Sequence, residues 1–137
     1  MFIGEYRHTI DEKNRLAVPA KFRGALAEGV TLTRGLDRCL FVFTRSEWGI
    51  LAQKLVALPL TLANSRAFSR LMLAGAMELE LDSHGRILVP DYLKVYAGLD
   101  KEVAIAGVYN RFEIWEAKRW DKYNKETESN SGEIAEK

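Results

Sequence analysis

The sequence lacks most features that mark secreted or membrane-embedded proteins. Among its 137 residues there is one cysteine, Cys39, so no disulfide can form within the chain and a reducing compartment is expected. No apolar run approaches the ~20 residues that a membrane-spanning helix needs. The first residues show no secretory pattern. We therefore expect a cytoplasmic protein with no membrane partner.

Patterns for metal binding and catalysis are missing as well. The two histidines and the single cysteine form no pair at metal-ligand spacing. The chain has no glycine-rich phosphate loop and no nucleophile elbow. These absences predict no metal, no cofactor, no small-molecule substrate and no enzymatic activity.

Neither sign of charge is in large excess. Twenty basic and nineteen acidic residues give a net charge of +1, whereas nucleic-acid-binding domains usually carry a basic patch. The charge is unevenly distributed along the chain: residues 121–137 have a net charge of −2, and residues 1–120 have a net charge of +3. Within 5–24, five basic residues face three acidic ones. A locally basic surface beside an acidic tail is therefore compatible with nucleic-acid binding.

An internal repeat dominates the sequence. The segments HTIDEKNRLAVPAKFRGAL (8–26) and LELDSHGRILVPDYLKVYA (79–97) align at an offset of 71. The identical pairs are Asp11 with Asp82, Arg15 with Arg86, Val18 with Val89 and Pro19 with Pro90. A second block aligns at an offset of 72 and includes the pair Trp48 and Trp120. The chain is thus a duplicated unit, which we call copy one and copy two.

The repeat predicts how the chain is divided. We expect copy one over 5–47, a spacer over 48–75, copy two over 76–120 and a disordered, acidic tail over 121–137. Each copy has the pattern of a hairpin, a short helix and two further strands. A helical stripe marks the spacer: Trp48, Leu51, Leu55 and Leu58.

The two copies are expected to share one core. A unit of this size is too small to bury its own hydrophobic face well. Two interleaved hairpins would instead form a small closed barrel without free edges. Asn14 and Gly85 hold matching positions in the hairpin turns, and both residue types tolerate positive φ. The turn therefore needs a left-handed residue at this point.

These motifs resemble the AbrB/SpoVT family of bacterial DNA-binding domains. The resemblance rests on the pattern Asp-x-x-x-Arg-hydrophobic-x-Val-Pro in DEKNRLAVPAKFR and DSHGRILVPDYLK. Two such copies around a helical spacer, after the start MFIGEYRHTID, resemble bacterial transcriptional regulators with both copies in one chain, over residues 1 to about 120. The resemblance implies an α+β fold, a tandem AbrB-like swapped-hairpin β-barrel with a pseudo-twofold relation between the copies.

The same resemblance implies a function. It points to a sequence-specific regulator of transcription whose partners are double-stranded DNA and other copies of itself in a ring homo-oligomer. The DNA would be short direct repeats in the promoter of the division and cell wall gene cluster, the regulator's own operon, which it would repress. The protein would be cytoplasmic and associated with the nucleoid.

The candidate DNA-binding residues lie in the two turns, in the short helices after them and, for Arg7, on the strand that leads into the first turn. Arginine can grip guanine and asparagine can pair with adenine, whereas lysines suit phosphates. A two-stranded ribbon fits the major groove. The full candidate set is Arg7, Lys13, Asn14, Arg15, Lys21, Arg23, His84, Arg86 and Lys94.

The same residues also allow structural roles. Asp11 could bridge to Arg15 across its turn, and Asp82 to Arg86, at a gain of about 0–1 kcal/mol each. The basic residues of the short helices could be solvated helix ends. The whole chain could be a ring-forming interaction module whose turns only support the fold.

Overall fold

The computed structural model describes residues 1–136 and has the predicted α+β class. Its strands are β1 (Phe2–Thr9), β2 (Arg15–Ala17), β3 (Val30–Arg34), β4 (Leu40–Thr44), β5 (Met77–Leu79), β6 (Arg86–Leu88), β7 (Glu102–Tyr109) and β8 (Phe112–Glu116). Its helices are α1 (Ala20–Arg23), α2 (Arg45–Val56), α3 (Ala63–Ser69), α4 (Asp91–Tyr96), α5 (Ala117–Ser129) and α6 (Ser131–Glu136). A 3-10 turn (Gly24–Leu26) continues α1, and a π-helical turn (Arg70–Ala74) continues α3.

Strand pairing interleaves the two copies. One six-stranded antiparallel sheet has the order β1-β7-β8-β4-β3-β5, and β2 and β6 form a separate two-stranded ribbon. Every strand of copy one pairs with a strand of copy two: β1 with β7, β2 with β6, β3 with β5 and β4 with β8. The copies therefore share their backbone hydrogen bonds as well as their core.

The outer strands of the large sheet are β1 and β5. Within residues 1–136 no ladder joins these two strands directly, and an isolated bridge from Ile10 to Leu16 links the end of β1 to the ribbon. The pairing establishes an interleaved antiparallel α+β fold. The closed swapped-hairpin barrel stays a finer prediction.

Both faces of the sheet are covered. One hydrophobic cluster joins the ribbon residues Leu16 and Ile87 to Phe22 of α1 and Leu93 of α4. The Phe22 ring stands edge-on to Phe2, with 5.0 Å between ring centroids. The second cluster contains the spacer stripe, which packs against the other face of β4 and β8. Cys39 is fully buried there, as expected of a small apolar side chain.

Helices α5 and α6 occupy most of the segment that the sequence predicts to be a disordered tail. A local cap and a long-range contact stabilise the start of α5. The Glu116 carboxylate accepts the Arg119 N–H at 3.0 Å and so caps the helix. The Arg119 side chain donates to the Asp37 carbonyl at 2.6 Å. Lys137, the last residue of the predicted tail, lies outside the described residues.

No helix within residues 1–136 combines the length and the apolar character needed to cross a membrane.

Candidate nucleic-acid interface

Two matched turns lead into the strands of the β2–β6 ribbon. In the first turn, the Asp11 N–H donates to the Arg15 carbonyl and the Asn14 N–H to the Asp11 carbonyl, both at 3.0 Å. In the second turn, Asp82, Gly85 and Arg86 repeat the same bonds at 2.9 and 3.0 Å. The φ angles of Asn14 and Gly85 are 61° and 73°. The predicted left-handed residue is thereby confirmed in both turns.

Each turn also bonds to the other copy. The Val18 N–H donates to the Gly85 carbonyl at 2.9 Å, and the Val89 N–H donates to the Asn14 carbonyl at 2.8 Å. The left-handed residue of each turn therefore holds the end of the opposite ribbon strand. This reciprocity fixes the two turns relative to each other.

An aspartate organises the first turn. The Asp11 carboxylate accepts the backbone N–H groups of Lys13 and Arg15, both at 2.9 Å, and the Arg15 Nε at 2.7 Å. These bonds to the charged form, the Arg15 N–H above all, lower the pKa of Asp11 below its ordinary value. The bridge across the turn that the sequence left open is present.

The second turn repeats this arrangement. The Asp82 carboxylate accepts the His84 and Arg86 N–H groups at 2.8 and 2.9 Å, and the Arg86 Nε at 2.8 Å. The Arg86 N–H is the largest cause that lowers the pKa of Asp82, to about 2. Both turns thus hold an ionised carboxylate against an arginine.

The bridges leave most of each guanidinium available. Within residues 1–136, the terminal amino groups of Arg15 and Arg86 make no hydrogen bond, and these side chains are 35% and 28% exposed. A guanidinium has five N–H donors, and the bridge uses the one on Nε. The terminal amino groups can therefore bind guanine O6 and N7 or a phosphate, while the aspartate fixes the plane of the guanidinium, whose N–H donors form a fork.

Three further candidates are exposed near these turns or on α1. Lys13 and Lys21 form no ion pair within the described part of the chain and are placed to meet phosphates. His84 is exposed at the second turn, with its Nδ1 3.3 Å from the Ser83 hydroxyl oxygen.

The basic residues near the ends of α1 and α4 pack against the opposite turns. The Arg23 Nε donates to the Val18 carbonyl at 2.9 Å, and its side chain lies over Gly85. The Lys94 Nζ donates to the Asn14 Oδ1 at 3.1 Å. Both side chains are half-buried. They are therefore parts of the turns rather than free, solvated helix ends.

Arg7 belongs to a different surface. Its guanidinium pairs with Glu5 at 3.1 Å and with Asp121 of α5, and the Arg7 bond lowers the pKa of Asp121. Arg7 and Asp121 border a cavity of about 600 Å³ together with His8 and Glu102. The structure does not bring Arg7 together with the two turns.

Asp91 is the residue that reasoning from the sequence missed. Its carboxylate accepts the Asn14 Nδ2 at 2.7 Å, across the two copies. The repeat could not reveal it, because Asp91 aligns with Ala20 and no identity marks the position.

Replacing Gly85 with alanine should destabilise the fold. A Cβ there would lie 2.4 Å from the Arg23 Nε, and the left-handed backbone adds strain. We expect a loss of about 1–3 kcal/mol in the free energy of unfolding, measured by urea denaturation. Gly24→Ala is the matched control, because its backbone is helical and its Cβ would meet nothing within 4 Å. Equal stabilities for the two variants would contradict the strain argument.

The free energy of unfolding should depend on pH through the ionisation of Asp82. Folding lowers the pKa of this group to about 2, from an ordinary value of about 3.9. Its contribution to the stability of the fold is therefore complete when the pH lies above the ordinary pKa. It is lost as the pH falls through the folded value. We expect the stability difference between wild type and Asp82→Asn to be constant above about pH 5 and to shrink toward pH 2. Urea denaturation as a function of pH measures it; a difference unchanged down to pH 2 would contradict the prediction.

Comparison with known proteins finds the same duplication, because one family model matches the chain twice. The family model described as "MraZ protein, putative antitoxin-like" matches residues 1–71 and again residues 72–137. The "Transcriptional regulator MraZ" of Natranaerobius thermophilus is 52% identical over 136 residues, covering 99% of this chain and 95% of that protein. The proteins of the same name from Ligilactobacillus salivarius and Moorella thermoacetica are 52% and 51% identical, covering 99% and 100% of this chain and 95% and 96% of their own lengths. These relatives bear the name of a regulator, which is a non-enzymatic class.

Proposed function

Because the chain belongs to the MraZ family, we propose that it is a sequence-specific, DNA-binding regulator of transcription that contacts DNA through the two turns of the β2–β6 ribbon. One observation carries this proposal. Each turn holds an arginine by its Nε against an aspartate and leaves the terminal amino groups of the fork unbonded within residues 1–136.

The roles of the side chains follow from their geometry. Arg15 and Arg86 are suited to base edges, because each fork is oriented and partly exposed. Lys13, Lys21 and His84 are suited to the backbone, because they are exposed beside the forks or on α1. Arg23 and Lys94 each support the turn of the opposite copy, at Gly85 and at Asn14. Asn14 is itself a residue of the first turn and belongs to the same surface. Arg7 is the candidate that this geometry supports least.

We also propose the finer features that the family resemblance implies. They are a swapped-hairpin barrel, a ring of identical subunits, and binding to short direct repeats in the promoter of the division and cell wall gene cluster. The regulator would repress this operon, its own, and would be found in the cytoplasm on the nucleoid. The pairing of every strand of copy one with copy two supports the barrel. The exposed apolar side chains of Ile50, Val56 and Leu60 on and after α2 support contacts between subunits.

A titration tests the proposal. The full chain would be added to labelled DNA from the region upstream of its own gene and, separately, to DNA of the same length and composition with the order scrambled. We expect the upstream DNA to bind at least about 1,000-fold more tightly at physiological salt. Equal affinity for both probes at every salt concentration would overturn sequence-specific binding.

An interaction module without DNA binding is the second candidate. The exposed apolar residues of the spacer favour it, since they predict self-association whatever the turns do. Light scattering would then show a stable oligomer, and the same titration would show only weak binding that disappears with salt. The two experiments together separate this candidate from the regulator.

A further inference from the structure

Asn14 uses both ends of its side-chain amide within the protein. The Nδ2 donates to the Asp91 Oδ1 at 2.7 Å, and the Oδ1 accepts from the Lys94 Nζ at 3.1 Å. Pairing with adenine needs the same donor and acceptor at once. In this arrangement Asn14 links the first turn to α4 of copy two instead of presenting a free amide to a base.

The second turn has no such link. At the offset of 71, Gly85, Ala20 and Arg23 match the three members Asn14, Asp91 and Lys94. Glycine has no amide side chain, alanine has no carboxylate, and the Arg23 side chain fills the space into which a Cβ at Gly85 would project. The three positions that touch one another therefore differ between the copies as a set. The remaining bonds of the two turns are the same.

We propose that Asp91 is a positioning residue which, through Asn14, holds the first turn in its DNA-binding geometry, so that the two turns contribute unequally to binding. This inference rests on the proposed function. It assigns the first turn the larger share, because Lys13 and Arg15 flank an anchored residue whereas His84 and Arg86 flank a glycine.

The physical reason is the cost of ordering a loop. A turn that is fixed before binding loses less conformational freedom when its side chains meet DNA. Asn14 already holds the copies together through its carbonyl and the Val89 N–H. The bond to Asp91 adds a second restraint at the same residue, and the Lys94 ammonium offsets part of the carboxylate charge that would otherwise repel phosphate.

Variants separate positioning from charge. Asp91→Ala removes the acceptor and the charge, whereas Asp91→Asn removes the charge and keeps an oxygen that can accept from Asn14. Asp100→Ala is the matched control, because Asp100 borders the same surface cavity as Asp11 and Lys94 and makes no hydrogen bond within the described residues. The same Asp91 changes are repeated with Asn14→Gly, which keeps a residue suited to positive φ and removes the amide.

The affinity of the full chain for its upstream DNA is the readout, with melting temperatures to confirm folding. We expect Asp91→Ala to weaken binding about fivefold, Asp91→Asn to stay within about twofold of wild type because it restores the acceptor, and Asp100→Ala not to weaken binding. With Asn14→Gly present, Asp91→Ala should have no further effect.

Three results would overturn the inference. Asp91→Ala could bind as wild type does; Asp91→Ala and Asp91→Asn could change the affinity equally; or the loss could persist with Asn14→Gly. Failure of the proposed function looks different, because the wild-type chain itself would then not prefer its upstream DNA. Hydrogen exchange gives a second readout: the amides of 12–15 should exchange faster in Asp91→Ala than in wild type, and those of 83–86 should not change.

Discussion

Replacing Arg15 with alanine should weaken binding to the upstream DNA by about 10- to 100-fold, the loss expected for one bidentate contact to guanine. The Nε is held 2.7 Å from the Asp11 carboxylate, and the rest of the fork makes no hydrogen bond within residues 1–136. An arginine restrained in this way meets a base edge with little further ordering. Titrations at low and moderate salt measure the loss.

Two further variants show what kind of contact Arg15 makes. Arg15→Lys keeps the charge and loses the planar fork, so it should bind nearly as weakly as alanine if Arg15 reads a base, and nearly as well as wild type if it only meets a phosphate. Arg86→Ala removes the matching arginine of copy two and should cost less if the first turn has the larger share. Unchanged affinity of Arg15→Ala at both salt concentrations would remove Arg15 from the interface.

If the promoter contains the proposed direct repeats, the affinity should collapse when the repeats are taken out of phase. If several subunits of one ring each bind one repeat, the first contact raises the effective concentration of the others. The overall affinity is then about 100- to 10,000-fold higher than that of a single contact. Inserting about 5 bp between repeats turns successive sites to opposite sides of the duplex. We therefore expect the affinity to fall toward that of a single repeat, as measured by titration of the altered promoters.

An insertion of about 10 bp is the matched control, because it restores the same side of the duplex and should recover much of the affinity. Probes with one, two and three repeats complete the series. A loss proportional to the number of repeats removed, whatever their spacing, would mean that the units bind independently. The linked arrangement fits the modest net charge of +1, since few phosphate contacts per unit are needed.

Local chemistry made much of this fold predictable. The repeat matches Asn14 with Gly85, and both have positive φ in the structure. In each copy a short helix follows the proline, Pro19 or Pro90, and two further strands follow the helix, in the order that the sequence pattern predicts. The recognised tandem pattern also agrees with the two matches to the MraZ family model. Such features depend on residues near one another in sequence, so the sequence shows them directly.

Contacts between distant, unmatched positions could not be predicted in this way. Asp91 meets Asn14 although its counterpart in copy one is Ala20, so alignment of the copies gives no signal. The start of α5 depends on the bonds of Arg119 to a turn some 80 residues earlier. The polar composition of the tail predicts disorder. Composition alone contains no information about a distant partner such as the turn that Arg119 contacts, so it could not predict the helix.

The pairing of each strand of copy one with copy two also has a consequence for synthesis. The partners of β1, β2, β3 and β4 lie in 77–116, so a nascent chain that ends before this segment has only the β3–β4 hairpin available from the sheet. Strands β1 and β2 and the outer edges of the β3–β4 hairpin stay unpaired until the second half of the chain leaves the ribosome. We therefore expect the sheet to form only after the second half has been synthesised, and we expect a chain truncated in the spacer to be prone to aggregation.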